Sequence, residues 1–474
     1  MNEPSYLKKL TISGLHEDKN AVINFLPQST IIMTENGVGK TTVLNILFSI
    51  LSGNLKKLAA YNFREAKLEM SDGKQFFTVK RSDISDIGEN SFDRKEGRIP
   101  LSIRNILSMI EVNINSKMVE IINKALQEGD LKNLRLIVKE ISPESSPVAI
   151  SNVTRYLMEF PEIIQRYIIV SELNKFRINF PYKILYLPTY RRVEENLARL
   201  GIKGVDEGDG FDIFEDSYEE DSHDEETLIH FGMDDVEKRF KDVTQKIKDD
   251  TMASYSKISG GMLDELLQMP NFSAEMSNSH HLQKNEEKLD LVLKRIGSSI
   301  SDKGRSQILD LVKSGEIGIS RYQPIAYFLG NLIKIYEEQK VFDQQINRFI
   351  LTINKYLSDK EMIYDEVDPK IYIKSKRSKK IIDLNTLSSG EKQLISILSL
   401  IYLDNRKYAV IFDEPELSLS TEWQEKLLPD LIASGNCSFL LAATHSPYIF
   451  ANDLAKSARP MSVTYEIEVA IENR

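Results

Sequence analysis

One cysteine, one tryptophan and six histidines are all that 474 residues hold of those types. The lone Cys437 cannot close a disulfide within the chain, and no Cys–His cluster has the spacing of a zinc site. A reducing, cytoplasmic setting is therefore expected. No apolar run reaches the length of about eighteen residues that a membrane helix needs, so no membrane partner is expected. Met1 to Leu10 carries charge where a secretory signal would be apolar. Positive charge is also short: 61 Lys and Arg against 71 Asp and Glu give a net charge of −10. That balance argues mildly against a chain coated for non-specific nucleic-acid binding. A local basic groove is compatible with it, so DNA is a conceivable partner that nothing in the composition indicates. What is present is the make-up of a globular protein, 41% apolar and 28% charged. At about 150 residues per domain the length suggests about three domains.

The first part of the chain reads as β-rich with one helix. Leu7 to Ile12 and Val22 to Phe25 alternate as strands do, and Thr30 to Met33 is a short apolar run typical of a buried strand. Asn36-Gly37-Val38-Gly39 breaks the pattern, and Lys40 to Leu51 resumes it at helical spacing. Phe63 to Val79 predicts a hairpin turning at Asp72-Gly73. From about Ile99 to Phe180 the spacing is helical, a strand returns over 184–188, and an acidic loop follows over 205–227, with a dozen carboxylates between Asp206 and Glu226 and no Lys or Arg. Gly232 to Leu267 and Lys284 to Tyr356 are helical again, in pieces too short and interrupted for a long coiled coil. The end recovers strand and helix in alternation: Ser389 to Tyr402, Ala409 to Phe412, Thr421 to Ala433 and Ser438 to Ala443. The expected fold is α/β. Its sheet is built from both chain ends, residues 1–98 and 382–474, around a mainly helical insert over 99–381.

Four strings carry chemistry. Thr34-Glu35-Asn36-Gly37-Val38-Gly39-Lys40-Thr41-Thr42 fits the G-x-x-x-x-G-K-[ST] phosphate loop except that Thr34 stands for the leading glycine. Glycines at 37 and 39 let backbone N–H groups turn toward phosphate oxygens, and the helix that follows adds the positive end of its dipole. In that setting Asn36 to Thr42 would cradle a nucleotide, Lys40 reaching the β- and γ-phosphates and Thr41 ligating Mg²⁺. In Tyr408-Ala409-Val410-Ile411-Phe412-Asp413-Glu414-Pro415 an apolar strand delivers Asp413 to the metal and Glu414 to the attacking water as general base. A core strand capped by acids in a turn would read the same way. In Leu387-Ser388-Ser389-Gly390-Glu391-Lys392-Gln393, Ser388, Ser389, Gly390 and Glu391 open a helix as a second phosphate cradle. Ser-x-x-Glu is also a capping box, and both can hold at once. Ala443-Thr444-His445-Ser446-Pro447 ends the next apolar strand and places His445 as a switch near the γ-phosphate.

Their order, Lys40, then Leu387 to Gln393, then Asp413-Glu414, then His445, resembles that of the ABC-type ATPases. The resemblance covers roughly Met1 to Val79 and Ile382 to Asp453. It implies ATP and Mg²⁺ as ligands and ATP hydrolysis as the reaction. It also implies that Ser388 and Gly390 face the nucleotide held at Lys40 of a second copy, in head-to-tail dimers. Leu417 to Ser420 would be the segment joining two such sites, with Ser420 where the family usually carries an acid. The strings Asp413 to Ser420 and Thr444 to Pro447 resemble RecF-like and overcoming-lysogenisation-defect-like ATPases. Tyr186-Leu187-Pro188-Thr189-Tyr190-Arg191-Arg192 and Phe231 to Glu237 resemble the anti-phage ATPases of the PARIS (AriA) and Septu (PtuA) defence systems, with length and insert closer to AriA. That likeness implies a higher oligomer such as a hexamer, a nuclease effector of Toprim or HNH type supplied by another chain, and a phage-encoded trigger. Two other readings compete: a DNA-repair ATPase like RecF or RecN, and a transporter's nucleotide-binding subunit. The insert and Glu416 to Ser420 disfavour the transporter.

Overall fold

The computed structural model describes residues 6–33, 37–73, 75–84, 105–107, 109, 114–188, 233–267, 279–296 and 300–465. Asn36, Tyr190 to Arg192, the acidic loop over 205–227 and Phe231-Gly232 lie outside them. The chain forms two compact units. One comprises Met1–Ile229, Arg406–Pro429 and Cys437–Arg474; the other comprises His230–Asn405 and Asp430–Asn436.

The first unit opens with strands β1 (Leu7–Leu15), β2 (Lys19–Asn24) and β3 (Ser29–Met33) and helix α1 (Lys40–Ser52). The expected hairpin follows as β4 (Glu65–Met70) and β5 (Phe76–Lys80). Along β4, Ala66, Leu68 and Met70 are buried while Glu65, Lys67 and Glu69 are partly exposed, the period of two that a one-sided strand requires. Four helices come next: α2 (Ser116–Glu128), α3 (Leu131–Ile141), α4 (Pro147–Glu159) and α5 (Pro161–Ile178). Each of the first three starts on a side chain that accepts a backbone N–H, from Asn115, Asp130 and Ser146 respectively. Their apolar faces share one cluster that includes Ile122, Leu134, Val153 and Ile164. Strand β6 (Lys183–Leu187) ends this stretch.

The second unit holds two helices much longer than the sequence pattern suggests, α6 (Met233–Leu267, 35 residues) and, after α7 (Glu286–Arg295) and α8 (Asp302–Ser314), α9 (Gln323–Ile353, 31 residues). Helix α6 covers the stretch expected to be helical and is unbroken at Gly260-Gly261. It packs against α9, whose contacts favour the helix beyond its local propensity. A small antiparallel sheet of β7 (Lys360–Asp365), β8 (Lys370–Ser375) and β9 (Ile381–Ile382) follows, a feature the sequence pattern does not announce. Helix α10 (Ser389–Leu403) completes the unit and packs against α6 and α9.

The chain then continues through β10 (Tyr408–Asp413), α11 (Thr421–Ala433), whose residues from Asp430 on belong to the second unit, and β11 (Cys437–Thr444), β12 (Ala458–Pro460) and β13 (Ser462–Tyr465) of the first. Two five-stranded sheets result, β13-β2-β1-β4-β5 with antiparallel pairing and β12-β3-β11-β10-β6 with parallel pairing throughout. All six residues of β10 are buried, as a parallel strand covered on both faces must be. A single core cluster joins the antiparallel sheet (Leu10, Ile12, Leu68), α1 (Val43, Leu47) and the parallel sheet (Ala409, Ile411, Leu441). This is an α/β fold whose sheets draw strands from both ends of the chain, with β6 added from between them. Cys437 is buried at the start of β11, where burial pushes its thiol up to about 12 and makes it inert. Among the described residues no helix is long and apolar enough to cross a membrane.

Candidate nucleotide site

The phosphate loop takes its shape from two glycines. Gly37 and Gly39 have φ of 80° and 95°, the left-handed region that a side chain makes costly. Space is not the constraint at Gly39, since a Cβ there would sit 3.5 Å from Leu15 Cδ2, an ordinary contact. The backbone conformation alone calls for glycine. Gly39 is also the N-cap of α1 and supplies no side-chain acceptor. No side chain of the N-cap covers the first N–H groups of α1, an arrangement that suits an anion.

Four charged or polar side chains then meet in two pairs. Thr41 Oγ1 donates to Asp413 Oδ2 at 2.7 Å, joining the first turn of α1 to the end of β10. Asp413 is buried, 1% exposed. Lys40 is buried as well, and its Nζ hydrogen-bonds His445 Nε2. Burial pushes the Lys40 ammonium below its usual value, against the upward pull of Glu414, Asp413 and Glu416. The parallel register explains the meeting. β3 leads into the loop, β11 lies beside β3 and carries His445 one residue past its end, and β10 lies beside β11 and ends on Asp413.

Glu414 sits one residue beyond the strand with φ of 52°, and its N–H donates to the Ala443 carbonyl at 2.8 Å. A non-glycine residue in that region is uncommon and marks a backbone held by its surroundings. Two residues that side-chain type did not single out complete the holding. The Glu416 carboxylate accepts from Thr444 Oγ1 and from the His445 backbone N–H, both at 2.8 Å. Gln424, on α11, accepts from Ser446 Oγ at 2.6 Å and donates to the Leu419 carbonyl at 2.9 Å. The loop after β10 thus grips the loop after β11, and His445 is placed by Glu416. The only sequence trace of this was Glu416 within the string after Asp413.

The Ser388 to Glu391 segment lies in the second unit. Ser388 is the N-cap of α10 and forms a complete capping box, its Oγ accepting from the Glu391 N–H at 3.4 Å and Glu391 Oε2 accepting from the Ser388 N–H at 2.9 Å. Ser388 and Ser389 are exposed and Gly390 is buried. The Glu391 side chain is turned inward and occupied: it also accepts from Ser388 Oγ at 2.9 Å and from Lys360 Nζ at 2.8 Å. Burial pushes its carboxyl up, but Lys360 and Ser388 outweigh that and hold it below the usual range.

Residues 272–451 match the family described as "AAA domain, putative AbiEii toxin, Type IV TA system". That is a family of P-loop ATPases, and the match spans the capping-box helix, Asp413-Glu414 and His445. No curated protein sequence matches the chain. Similar solved structures include the Smc head domain with an extended coiled coil bound to the C-terminal domain of ScpA from Pyrococcus furiosus, at 12% identity and a TM-score of 0.32, covering 97% of this chain and 96% of that one. The SmcHead bound to the C-winged helix domain of ScpA has 11% identity and a TM-score of 0.33, covering 97% and 98%. The Smc head domain with a coiled coil and joint from Pyrococcus yayanosii has 14% identity and a TM-score of 0.30, covering 94% and 93%.

Proposed function

We propose that the chain binds ATP with Mg²⁺ at Gly37 to Thr42 and hydrolyses it. The observation that carries the proposal is the convergence of Lys40, Thr41, Asp413 and His445 at the open N-terminus of α1. The residues present fit both ligands. Two left-handed glycines and uncapped N–H groups suit phosphate. A hydroxyl and a buried carboxylate 2.7 Å apart are the hard oxygen donors that Mg²⁺ prefers. The ion supplies charge neutralisation of the phosphate oxygens when bound. Lys40 then donates to the terminal phosphates in place of His445. Glu414 takes the proton of the attacking water as the water oxygen bonds to the γ-phosphorus and the bond to the ADP oxygen breaks. His445, released from Lys40, is held by Glu416 where its ring can donate to the γ-phosphate.

Ser388 and Gly390 are the second half of this reading. The start of their helix, where Ser388 and Ser389 are exposed, suits the γ-phosphate bound to another copy, so two chains would complete two sites head to tail. We further propose that these pairs build a higher oligomer that holds a separate nuclease effector, of Toprim or HNH type, until a phage product triggers release. The resemblance of Tyr186 to Arg192 and Phe231 to Glu237 to anti-phage ATPases supports this, as does a matched family whose description names a toxin of a toxin–antitoxin system. The test is the native mass of the complex purified with its neighbouring gene products in ATP and Mg²⁺. A multimer carrying a second, nuclease-like chain is expected. A bare dimer whose hydrolysis rises with added DNA would overturn the defence role.

A further inference from the structure

The Lys360 ammonium, on β7, is held by a buried carboxylate. It donates to Glu391 Oε1 at 2.8 Å and Oε2 at 3.2 Å, with the Lys360 side chain 20% exposed and that of Glu391 7% exposed. Among the described residues the other acid paired with it is Asp359, its chain neighbour, at 3.3 Å. Glu391 in turn accepts from the Ser388 N–H and Oγ, both at 2.9 Å. The first turn of α10 is therefore not a free helix start. One carboxylate fixes it, and a cation from another element holds that carboxylate ionised and in place. β7 is tied down in its turn, because Asn354, just past α9, exchanges two hydrogen bonds with the Met362 backbone at 2.8 and 2.9 Å. An uncompensated buried carboxylate would shed its charge or turn outward, and the N–H and Oγ of Ser388 would lose their acceptor.

We infer that Lys360 is a positioning residue of the ATPase reaction, setting the Ser388 to Gly390 turn through Glu391 so that it can meet a nucleotide. The inference rests on the proposed role of that turn in hydrolysis. Removing Lys360 misplaces the turn without touching Lys40, Thr41 or Asp413. Lys360→Met is therefore expected to keep ATP affinity and KM near wild type while kcat falls about ten- to a hundredfold. Lys360→Arg, which restores a cation, is expected to recover most of kcat. In Lys360→Met the acid limb of the pH profile moves to higher pH, since Glu391 loses the partner that favours its charged form.

The experiment is a double-mutant cycle on the full chain, comparing Lys360→Met, Glu391→Gln and both together, with thermal melts alongside and Ser388→Arg as the control. The expected result is that the double variant is no slower than either single one, because both break one device. Additive losses, or wild-type kcat in Lys360→Met while Ser388→Arg is dead, overturn the inference and leave the proposed function standing. Normal turnover in Ser388→Arg removes the proposed function instead. If Lys360→Met melts too low to assay, Glu391→Gln with Lys360→Arg decides it: loss in the first and near-normal kcat in the second support the inference, and the reverse refutes it.

Discussion

Lys40 combines burial, which disfavours its charge, with three carboxylates that favour it. The sign of the pH dependence follows. The protonated lysine binds phosphate, and its lowered pKa means that charge is lost at a pH below the ordinary lysine value of about 10.4. kcat/KM, which reports the free enzyme, is expected to hold through neutral pH and fall on the alkaline side, and Lys40→Arg to push that fall out of range. Lys40→Ala is expected to abolish ATP binding in an equilibrium titration; retained affinity would remove the phosphate-loop assignment. Glu414→Gln is expected to keep ATP bound and to slow single-turnover hydrolysis by about a hundredfold or more. Glu416 gives the sharpest case. Its two hydrogen bonds hold the segment that bears His445, so Glu416→Ala and His445→Ala are expected to be non-additive in kcat. Nothing in the residue type announces that role. A glutamate three residues past Asp413 looks like any acid in a turn until the fold brings Thr444 to it.

Among the elements, those with a strong apolar signature are the ones the sequence discloses. β10 and β11 are continuous apolar runs because parallel strands are covered on both sides, and α1 and α11 show helical spacing. β7 hides because one residue of Lys-Glu-Met-Ile-Tyr-Asp is fully buried, Met362, so no alternation survives. The stretch of α6 reads as helical over Gly232 to Leu267, but that it is one unbroken helix of 35 residues rests on tertiary packing that no local pattern shows. The tie among α7, α9 and β7 is invisible for the same reason: Arg295 Nη2 donates to both carboxylate oxygens of Asp343 at 2.9 Å, and Tyr364 donates to one of them at 2.5 Å, across long sequence gaps. The pair is nearly solvent-free, with side chains 3% and 4% exposed. Arg295→Met strands a buried carboxylate and is expected to cost about 3–5 kcal/mol in denaturant unfolding. A loss under 1 kcal/mol, on the order of a surface pair, would show the tie to be dispensable.

On the scale of the molecule, the nucleotide-binding loop and the Ser388 turn belong to different units of one chain. If two copies complete each other's sites, trapping ATP should trap the pair. Glu414→Gln with ATP and Mg²⁺ is expected to double in mass by light scattering relative to the ADP form, and Ser388→Arg in the same background to stay single. Equal masses in all three would argue for sites completed within one chain.

The parallel sheet has a consequence for how the protein is made. β3 ends at Met33, and its partner β11 does not begin until Cys437, so about four hundred residues separate two neighbours. At a synthesis rate of about 5–20 residues per second, β3 waits roughly 20–80 s on the ribosome for that partner. Through that interval an apolar strand lacks its ladder and the phosphate loop lacks both Asp413 and His445. On the proposed function, a chain cut short before β10 is expected to hold no nucleotide, and ATP binding would belong to finished molecules alone.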